Sequence, residues 1–279
     1  MEQIADPEYG YLRQLVFDVS QNVLDASRDY LFDTRLTKIL RNQGMTRLDE
    51  LVHKLRAQRN SALEREVAEA MTINETSFFR DLRPFDLLRQ ELLPKIIEAR
   101  RFHRTLRFWS AACATGQEAY SVAMMLLEHF PMLVGWKFAI EGTDICHEVV
   151  QRAQAGMYHR IEINRGLPAR FVVRYFDHVG EDWIVKSEVR KLCNFRQANL
   201  CGASLPFNRA SDCFDVIFLR NVMLYFDQPT RRTLLAGIHR VLAPDGILFL
   251  GSSEQPADLS LWTPVLAGGT CYYRPRQPS

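Results

Sequence analysis

The sequence predicts an α/β protein in which a doubly wound, mainly parallel sheet follows a smaller helical domain. From residue 101 onward, apolar runs of strand length alternate with segments of helical spacing. This alternation is typical of parallel sheets covered by helices on both faces. Residues 1–88 instead carry apolar residues at helical spacing, such as Leu51 and Leu55. We therefore predict a helical domain over 1–88, a linker helix over 89–100 and an α/β domain over 101–279.

The composition of the chain excludes several kinds of protein. Of its 279 residues, 47% are hydrophobic and 24% charged, as is ordinary for a folded protein. A formal net charge of +2 gives no global attraction to nucleic acid or to a membrane. The six cysteines contain no Cys-x-x-Cys pair, and the acidic N-terminus does not resemble a signal peptide. No apolar run approaches the roughly 18 residues of a spanning helix. We expect a cytoplasmic protein with reduced thiols, without a metal site and monomeric.

The α/β domain divides into elements by the length of each apolar run and by its turn residues. Three runs are predicted as buried strands: Leu106–Trp109, Lys137–Gly142 and Phe214–Leu219. A predicted helix follows each of them: Glu118–Phe130, Glu148–Ala155 and Thr230–Leu242. Pro244-Asp-Gly246 ends the last helix. The last two strands are predicted to form an antiparallel pair: Ile247–Leu250 and Thr270–Tyr273.

Residues 156–196 interrupt this alternation. Three segments there are predicted to be short strands or a mixture of helix and strand around Gly180: Phe171–Tyr175, Trp183–Val185 and Leu192–Phe195. After Gly180, apolar and charged residues alternate, which is typical of a strand with one solvated face. We predict a small antiparallel β-subdomain, inserted in the α/β domain over about 156–196.

The first predicted strand runs into a loop of very small side chains. From Phe108 to Glu118 the sequence is Phe-Trp-Ser-Ala-Ala-Cys-Ala-Thr-Gly-Gln-Glu, a strand end, a small-residue turn and a helix N-terminus. Such a turn lets backbone N–H groups approach a ligand closely. Doubly wound sheets hold nucleotide-like cofactors in this way, so the chain is predicted to bind one.

Asp144 ends the second predicted strand, 28 positions after Gly116. In doubly wound sheets an acidic residue at this place accepts hydrogen bonds from the ribose hydroxyls of the cofactor. The alternatives are a solvated loop carboxylate or a cap for the helix that follows. Because the small-residue loop precedes it, we favour the ribose role.

Two other segments suit a ligand site. Asn74, Thr76 and Arg80 surround two consecutive phenylalanines, and a guanidinium can pair with a carboxylate in bidentate fashion. The alternative is a loop that enters a helix, with both phenylalanines in the core. Arg220–Phe226 leaves a strand end, where side chains line the ligand crevice. Tyr225 in that segment either reaches the reacting groups or is a core aromatic residue.

Charge is unevenly distributed in the helical domain. Residues 1–33 carry seven acidic and two basic side chains, whereas residues 34–59 carry seven basic and two acidic ones. Solvated helix faces account for such patterns in most proteins. The alternative is that the basic segment 34–59 is a docking surface for an acidic partner.

Five motifs in a fixed order resemble one protein family. They are Asn-x-Thr-x-Phe-Phe-Arg (74–80), Trp-Ser-Ala-Ala-x-x-Thr-Gly-x-Glu-x-Tyr-Ser (109–121), Gly-Thr-Asp-Ile (142–145), Asn-Leu (199–200) and Phe-x-Arg-Asn-Val-x-x-Tyr-Phe (218–226). Each motif is weak alone, but the ordered set resembles the chemotaxis receptor glutamate methyltransferases, the CheR family, over nearly the whole chain. The predicted antiparallel final strand is also typical of the Rossmann-like sheet of class I AdoMet-dependent methyltransferases.

The resemblance implies a reaction and a set of site residues. Members of the family transfer a methyl group from S-adenosyl-L-methionine (AdoMet) to glutamate side chains on the cytoplasmic helical bundle of chemoreceptors. The products are glutamyl methyl esters and S-adenosylhomocysteine. The residues implied to surround AdoMet are Asn74, Thr76, Arg80, Glu118, Asp144, Asn199, Leu200, Arg220 and Asn221.

Within this implied site, roles also follow from the resemblance. Asp144 takes the ribose, and Asn199-Leu200 the adenine edge. Arg80 and Glu118 address the charged amino-acid end of AdoMet or the carboxylate of the substrate. Tyr225 lies near the transferred methyl group, so Tyr225 and Arg80 are the implied catalytic residues. The receptor bundle is the implied partner of the basic segment 34–59.

The chain departs from the family pattern in two places. Gln117 and Ala119 stand where Glu and Pro are expected, which changes little if Glu118 makes the contact. Some members also dock a pentapeptide from the receptor C-terminus by strand addition to a glycine-bearing loop of the inserted subdomain. Here the loop over 178–182 is short, with the single glycine Gly180. We therefore predict a member that does not depend on such a tether.

Three other functions remain as alternatives. A nucleic-acid methyltransferase shares the sheet and the cofactor, but the sequence has neither an Asn/Asp-Pro-Pro-Tyr/Phe motif nor a Pro-Cys loop, and its charge is weak for a phosphate backbone. A small-molecule O-methyltransferase does not need a basic helical domain. A catalytically silent adaptor is disfavoured by the intact Asn74, Arg80, Glu118, Asp144 and Tyr225. We expect neither nucleic-acid binding nor direct membrane insertion.

Overall fold

The computed structural model describes residues 7–58, 60–202, 204–208 and 213–276. They fall into two compact units. The first holds the described residues up to Ile73 together with Tyr225–Arg231, and the second holds Asn74–Leu224 and the described residues from Arg232 onward. The limits at residues 88 and 100 stay predictions as domain boundaries. Within the described ranges, no helix is both long enough and apolar enough to cross a membrane.

The first unit is helical and encloses an apolar core. Its helices are α1 (Pro7–Ser20), α2 (Tyr30–Arg35), α3 (Thr37–Asn42), α4 (Leu48–Ala57) and α5 (Ser61–Ala70). Leu12 and Val16 of α1, Leu51 of α4 and Val67 of α5 are fully buried in this core. Short helices are marginal in water by themselves, so the burial of one apolar face orders them.

The predicted basic segment 34–59 spans three helices. It begins at the end of α2, includes all of α3 and α4, and ends at Arg59, which lies outside the described residues. Arg41 and Arg56 are exposed. The guanidinium of Arg56 lies 4.8 Å from the centre of the Tyr11 ring, so this side chain also packs on α1.

The second unit is built on β-strands. They are β1 (Thr105–Ala111), β2 (Lys137–Asp144), β3 (Met157–His159), β4 (Phe176–Val179), β5 (Asp182–Val185), β6 (Cys193–Gln197), β7 (Phe214–Leu219), β8 (Leu242–Leu250), β9 (Trp262–Ala267) and β10 (Thr270–Pro275). Seven form one sheet in the order β6-β2-β1-β7-β8-β10-β9. Neighbours are parallel from β6 to β8, and β10 is antiparallel to both β8 and β9. The mainly parallel, Rossmann-like sheet with an antiparallel final strand is confirmed.

Helices accompany these strands along the chain. They are α6 (Arg83–Leu87), α7 (Leu93–Ala99), α8 (Gln117–His129), α9 (His147–Ala155), α10 (Arg160–Ile163), α11 (Ala169–Tyr175), α12 (Ser187–Arg190) and α13 (Gln228–Val241), with a π-helical turn at Leu88–Leu92 between α6 and α7. Every residue of α8 from Ala119 to Leu126 is buried. Because α8 is buried on all sides, its first turn is held in one position. This turn directly follows the small-residue loop after β1.

The predicted strand–helix pairs are confirmed as β1 and α8, β2 and α9, and β7 and α13. The prediction for the last strands is incomplete, because β9 was missed. Pro264 and exposed side chains give β9 the sequence of an edge strand, which lacks the signal of a buried one. Strand β8 also begins earlier than predicted. Its partner register shifts from Phe214↔Leu242 to Val216↔Ile247, so the Pro-Asp-Gly turn is an irregularity inside β8.

The inserted subdomain, predicted over about residues 156–196, contains a separate antiparallel sheet in the order β3-β5-β4. The predicted strand Trp183–Val185 lies in β5. Phe171–Tyr175 belongs to helix α11, which agrees with the predicted mixture of helix and strand; this run is too short for periodicity to separate the two. Leu192–Phe195 overlaps a strand as predicted, but its place in the antiparallel subdomain was wrong, because β6 pairs with β2 in the large sheet.

A charged cluster lies at the amino-terminal edge of the large sheet. The Nε of Arg100 donates to Asp215 (2.7 Å), and its other two nitrogens donate to Asp245 (2.9 and 2.5 Å). Asp215, near the start of β7, also accepts the Arg107 N–H (2.8 Å). Burial raises the pKa of Asp215, whereas the Arg100 guanidinium lowers the pKa of Asp245. Arg100 therefore offsets the burial of a carboxylate at this edge.

Candidate functional site

The order of the strands locates a crevice at the opposite edge of the sheet. From β1 the chain proceeds outward through β2 to β6 on one side, and through β7 to β8 on the other. The direction therefore reverses between β1 and β7. Open α/β sheets bind ligands at such a switch point, outside the carboxyl ends of the strands. Segments that follow β1, β2, β6 and β7 all begin at this edge.

Asp144 fixes the loop that follows β1. One carboxylate oxygen accepts the Ala114 N–H (2.9 Å), and the other accepts the Cys146 N–H (3.0 Å). Ala112 and Ala114 have φ values of 60° and 46°, which residues with a Cβ seldom adopt. The carboxylate thus holds a strained loop of small residues in place. The ribose role of Asp144 stays a prediction, since a carboxylate has lone pairs for further donors.

Phe195 of β6 packs against two glycines beside this loop. A Cβ added to Gly142 would lie 2.4 Å from Cδ1 of Phe195. A Cβ added to Gly116 would lie 3.1 Å from Cζ of Phe195 and 2.9 Å from Cβ of Ala153. One aromatic ring therefore occupies the space that a larger side chain would need at either position.

Arg220, directly after β7, is buried and is the centre of a polar network. Its Nη1 donates to Glu118 (3.0 Å), and its Nη2 donates to Asp81 (2.5 Å) and to the carbonyl oxygen of Arg80 (2.8 Å). Glu118, in the first turn of α8, also accepts the Ser110 hydroxyl (2.7 Å). The side chain of Arg220 is 2% exposed and that of Glu118 is 12% exposed. Three chain segments therefore meet at one desolvated guanidinium.

Asn221 follows with a left-handed backbone, φ 61°. Its N–H donates to Glu254 (2.7 Å), which also accepts the N–H groups of Gly251 (2.7 Å) and Met223 (2.8 Å). Glu254 is buried. Its carboxylate ties the turn after β8 to the turn after β7 and so determines where Arg220 and Asn221 lie. Among the described atoms, Nε of Arg220 and Oδ1 of Asn221 are buried without a hydrogen-bond partner.

Asn199 and Leu200 come shortly after β6. The side-chain oxygen of Asn199 accepts the Cys201 N–H (2.9 Å), and Leu200 is buried. The preceding Ala198 N–H donates to the carbonyl oxygen of Asp144 (2.8 Å). This segment therefore begins beside the end of β2, at the edge where Glu118, Arg220 and Asn221 lie.

The segment with Asn74, Thr76 and Arg80 reaches the same edge through its backbone. The Arg80 carbonyl oxygen is the one bound by Arg220, while the Arg80 guanidinium donates to the carbonyl oxygen of Glu75 (2.8 Å). Asn74 and Thr76 are half-buried. The contacts of these three side chains with a cofactor stay predictions.

Tyr225 belongs to the first compact unit. Its carbonyl oxygen accepts the Val23 N–H (2.8 Å), beside a bridge between Asn22 and Phe226. The predicted place of Tyr225 near the transferred methyl group stays a prediction.

Sequence reasoning missed three residues of this site: Ser110, Asp81 and Glu254. Asp81 directly follows Arg80, and Ser110 lies inside the small-residue motif. Glu254 ends a Gly-Ser-Ser-Glu turn after the apolar strand β8. An acidic residue just after a buried strand singled out Asp144, and the same rule applied to β8 finds Glu254.

Comparison with known proteins agrees with this geometry. A family described as "CheR methyltransferase, SAM binding domain" matches residues 74–268, SAM being AdoMet. Chemotaxis protein methyltransferase 1 of Pseudomonas aeruginosa is 40% identical over 254 residues, covering 90% of each chain. Chemotaxis protein methyltransferase Cher2 of Pseudomonas putida is 37% identical over 236 residues, covering 83% of this chain and 84% of that one. The chemotaxis protein methyltransferase of Vibrio parahaemolyticus is 34% identical over 260 residues, covering 92% of each. The chain therefore belongs to the CheR methyltransferase family and is an AdoMet-dependent methyltransferase.

Proposed function

We propose that the protein transfers a methyl group from AdoMet to glutamate side chains of methyl-accepting chemotaxis receptors, giving glutamyl methyl esters and S-adenosylhomocysteine. Relatives named as chemotaxis protein methyltransferases support this class of substrate. The observation that supports the location of the reaction is the buried network of Arg220 and Glu118 at the switch point of the sheet. The protein acts as a monomer in the cytoplasm.

The residues at the crevice fit AdoMet. The unpartnered Nε of Arg220 is a donor, and the unpartnered Oδ1 of Asn221 is an acceptor. The amino-acid end of AdoMet offers a carboxylate and an ammonium group, which match a donor and an acceptor. In this arrangement Asp144 holds the ribose, and Asn199-Leu200 borders the adenine edge.

The proposed reaction requires little acid–base catalysis from the protein. When bound, AdoMet supplies a methyl group on a positively charged sulfur. The acceptor glutamate is ionised at neutral pH, since its ordinary pKa is about 4.3, so no side chain has to remove a proton. Exclusion of water favours a reaction in which opposite charges are neutralised. The task of Arg80 and Tyr225 is to orient the acceptor carboxylate, through contacts weak enough not to stabilise the ground state.

Independence from a receptor tether is a further part of the proposal. Strands β4 and β5 are joined by the two residues Gly180 and Glu181 alone. Such a tight hairpin leaves little loop with which to hold an added peptide. We expect the enzyme to find its substrate glutamates through the helical bundle itself.

The test is transfer of labelled methyl from AdoMet to a chemoreceptor cytoplasmic fragment, followed by mild alkali. The fragment is used whole and without its last five residues. We expect equal initial rates on both fragments, and label released as methanol, which identifies a carboxyl ester. Alkali-stable label would contradict glutamate O-methylation, and AdoMet binding without transfer would favour an adaptor. A much slower rate on the shortened fragment would contradict tether independence alone.

The basic segment 34–59 is the proposed docking surface for the receptor bundle, whose methylated helices carry clustered carboxylates. Since Arg59 lies outside the described residues, the test uses Arg41→Glu together with Arg56→Glu. We expect the KM for the receptor fragment to rise several-fold at low salt and less at high salt, because exposed charges act mainly on association. The affinity for AdoMet, measured by calorimetry, stays unchanged.

A matched control for this prediction is Arg232→Glu together with Arg240→Glu, which makes the same change of charge at two exposed positions of α13. Its KM for the receptor fragment should equal that of the wild type. An equal rise of KM in the control would show that the effect comes from the net charge of the protein and not from the basic segment. An unchanged KM in the double variant would remove the segment from the docking surface.

A further inference from the structure

The inserted subdomain packs against the segment that carries Asn74, Thr76 and Arg80. The ring of Phe78 is fully buried. It meets Tyr158 edge-on with ring centres 5.0 Å apart, and Phe176 with ring centres 5.6 Å apart. The neighbouring Phe79 lies 5.4 Å from Phe171 of α11. All three partners come from the inserted subdomain, so the two residues before Arg80 are anchored in its aromatic side chains.

The loop between α10 and α11 approaches the same segment more closely still. A Cβ added to Gly166 would lie 2.1 Å from the carbonyl oxygen of Phe78, and Gly166 has φ +90°. The adjacent Arg165 donates to the carboxylate of Glu75 (2.6 Å), and its hydrogen bond lowers the pKa of Glu75. Only a residue without a side chain fits against Phe78 here, since both the space and the backbone conformation exclude a Cβ.

The subdomain also contacts the small-residue loop after β1. The hydroxyl of Tyr158 in β3 donates to the carbonyl oxygen of Thr115 (2.6 Å). Tyr158 is buried, and burial raises the pKa of its hydroxyl well above the ordinary value. The hydroxyl therefore remains protonated and keeps donating to the loop. A single side chain thus contacts both segments, with its ring on Phe78 and its hydroxyl on Thr115.

We propose that the inserted subdomain is a positioning element of the cofactor site, holding residues 74–82 and the loop 112–116 in the geometry that binds AdoMet. The three contacts above act together, through aromatic packing on Phe78, the close approach of Gly166 and the Tyr158 hydrogen bond. The consequence for affinity rests on the proposed location of AdoMet beside Asn74, Thr76 and Arg80. The subdomain therefore has a task in every turnover, whether or not a receptor peptide ever docks on it.

The first test compares two glycine variants of the subdomain. Gly166→Ala places a methyl group against the Phe78 carbonyl. Gly180→Ala changes a glycine of φ +64° that has no described atom within 4 Å of its added Cβ, so it causes the backbone strain without the collision. We expect Gly166→Ala to weaken AdoMet binding at least tenfold in calorimetry and to speed amide exchange over residues 74–82. Gly180→Ala should bind AdoMet as the wild type does.

The second test uses two tyrosine variants that each remove one buried hydroxyl. Tyr158→Phe loses the hydrogen bond to Thr115. Tyr175→Phe loses a hydrogen bond to Glu128 of α8 (2.8 Å), a residue that belongs to neither cofactor segment. We expect Tyr158→Phe to raise the Kd for AdoMet about fivefold, the usual equivalent of one hydrogen bond. In Tyr175→Phe the Kd should not change.

The outcomes separate the positioning role from the location of the cofactor. Unchanged AdoMet affinity in folded Gly166→Ala, or an equal loss in Gly180→Ala, overturns the positioning role. So does unchanged amide exchange over residues 74–82 in Gly166→Ala, whatever the affinity. Arg80→Ala and Asn74→Ala are measured alongside. If neither weakens AdoMet binding, the proposed location of the cofactor is wrong, and the dependence of affinity on the subdomain falls with it.

Discussion

Replacing Arg220 by methionine is expected to abolish most methyl transfer and to weaken AdoMet binding by about tenfold to hundredfold. The guanidinium is 2% exposed and bonds Glu118, Asp81 and the Arg80 carbonyl. Removing it leaves Glu118 buried beside an apolar side chain, which should lower the free energy of unfolding by about 3 kcal/mol. Arg220→Lys should recover the charge but not the binding, since an ammonium cannot form the same fork of hydrogen bonds.

The control for this variant is Arg100→Met. Arg100 also joins two carboxylates, Asp215 and Asp245, but at the amino-terminal edge of the sheet. The Arg100→Met variant should lose a comparable part of the free energy of unfolding, measured by urea denaturation. Its Kd for AdoMet should stay that of the wild type. AdoMet binding that is intact in Arg220→Met, or equally reduced in both variants, would show that the crevice is not the cofactor site.

Glu254→Gln is expected to lower kcat/KM by about 100-fold, although it changes only one atom of the side chain. The carboxylate accepts three backbone N–H groups, from Gly251, Asn221 and Met223. An amide would turn an NH2 group toward at least one of them. The unpaired donors should lower the free energy of unfolding by about 2 kcal/mol. The turn that aims Arg220 and Asn221 would then relax from its left-handed conformation.

Asp215→Asn is the matched control for Glu254→Gln. Asp215 is a buried carboxylate that also accepts a backbone N–H, from Arg107. Both variants should unfold at lower urea concentration, but only Glu254→Gln should weaken AdoMet binding. A Glu254→Gln enzyme with wild-type affinity and kcat would show that Glu254 serves stability alone.

Much of the α/β architecture could be predicted because each strand–helix pair carries its own signals. Buried runs such as Phe214–Leu219 need no partner to be recognised. Pairing is different, since it depends on residues far along the chain. Nothing local distinguishes Cys193–Gln197 as the partner of β2 from a strand of the inserted subdomain. The edge strand β9 is exposed and contains Pro264, so it resembles a loop.

Some residues of the candidate site could likewise be predicted from the sequence, and others could not. Asp144 and the segment Arg220–Phe226 were found because each follows a recognisable strand, and the carboxyl ends of parallel strands share one edge. Glu118 was implied only by the resemblance to the family. Asp81 and Glu254 matter because of the groups they face, a guanidinium and three backbone N–H groups. Those partners are fixed only when turns from different segments meet. Residue patterns therefore reveal least about which side chains of a site accept hydrogen bonds from distant backbone N–H groups.

The ring of Phe195 limits which substitutions are possible at two other positions. It fills the space above both Gly142 and Gly116, so neither glycine can acquire a side chain while the ring remains. For position 142, substitutions must follow a particular order, with residue 195 becoming smaller before residue 142 becomes larger. Gly116 stays a glycine even then, because its φ of +91° and the Cβ of Ala153 also exclude a side chain. Positions 195 and 142 can therefore change only together, and their covariation among descendants would record that order.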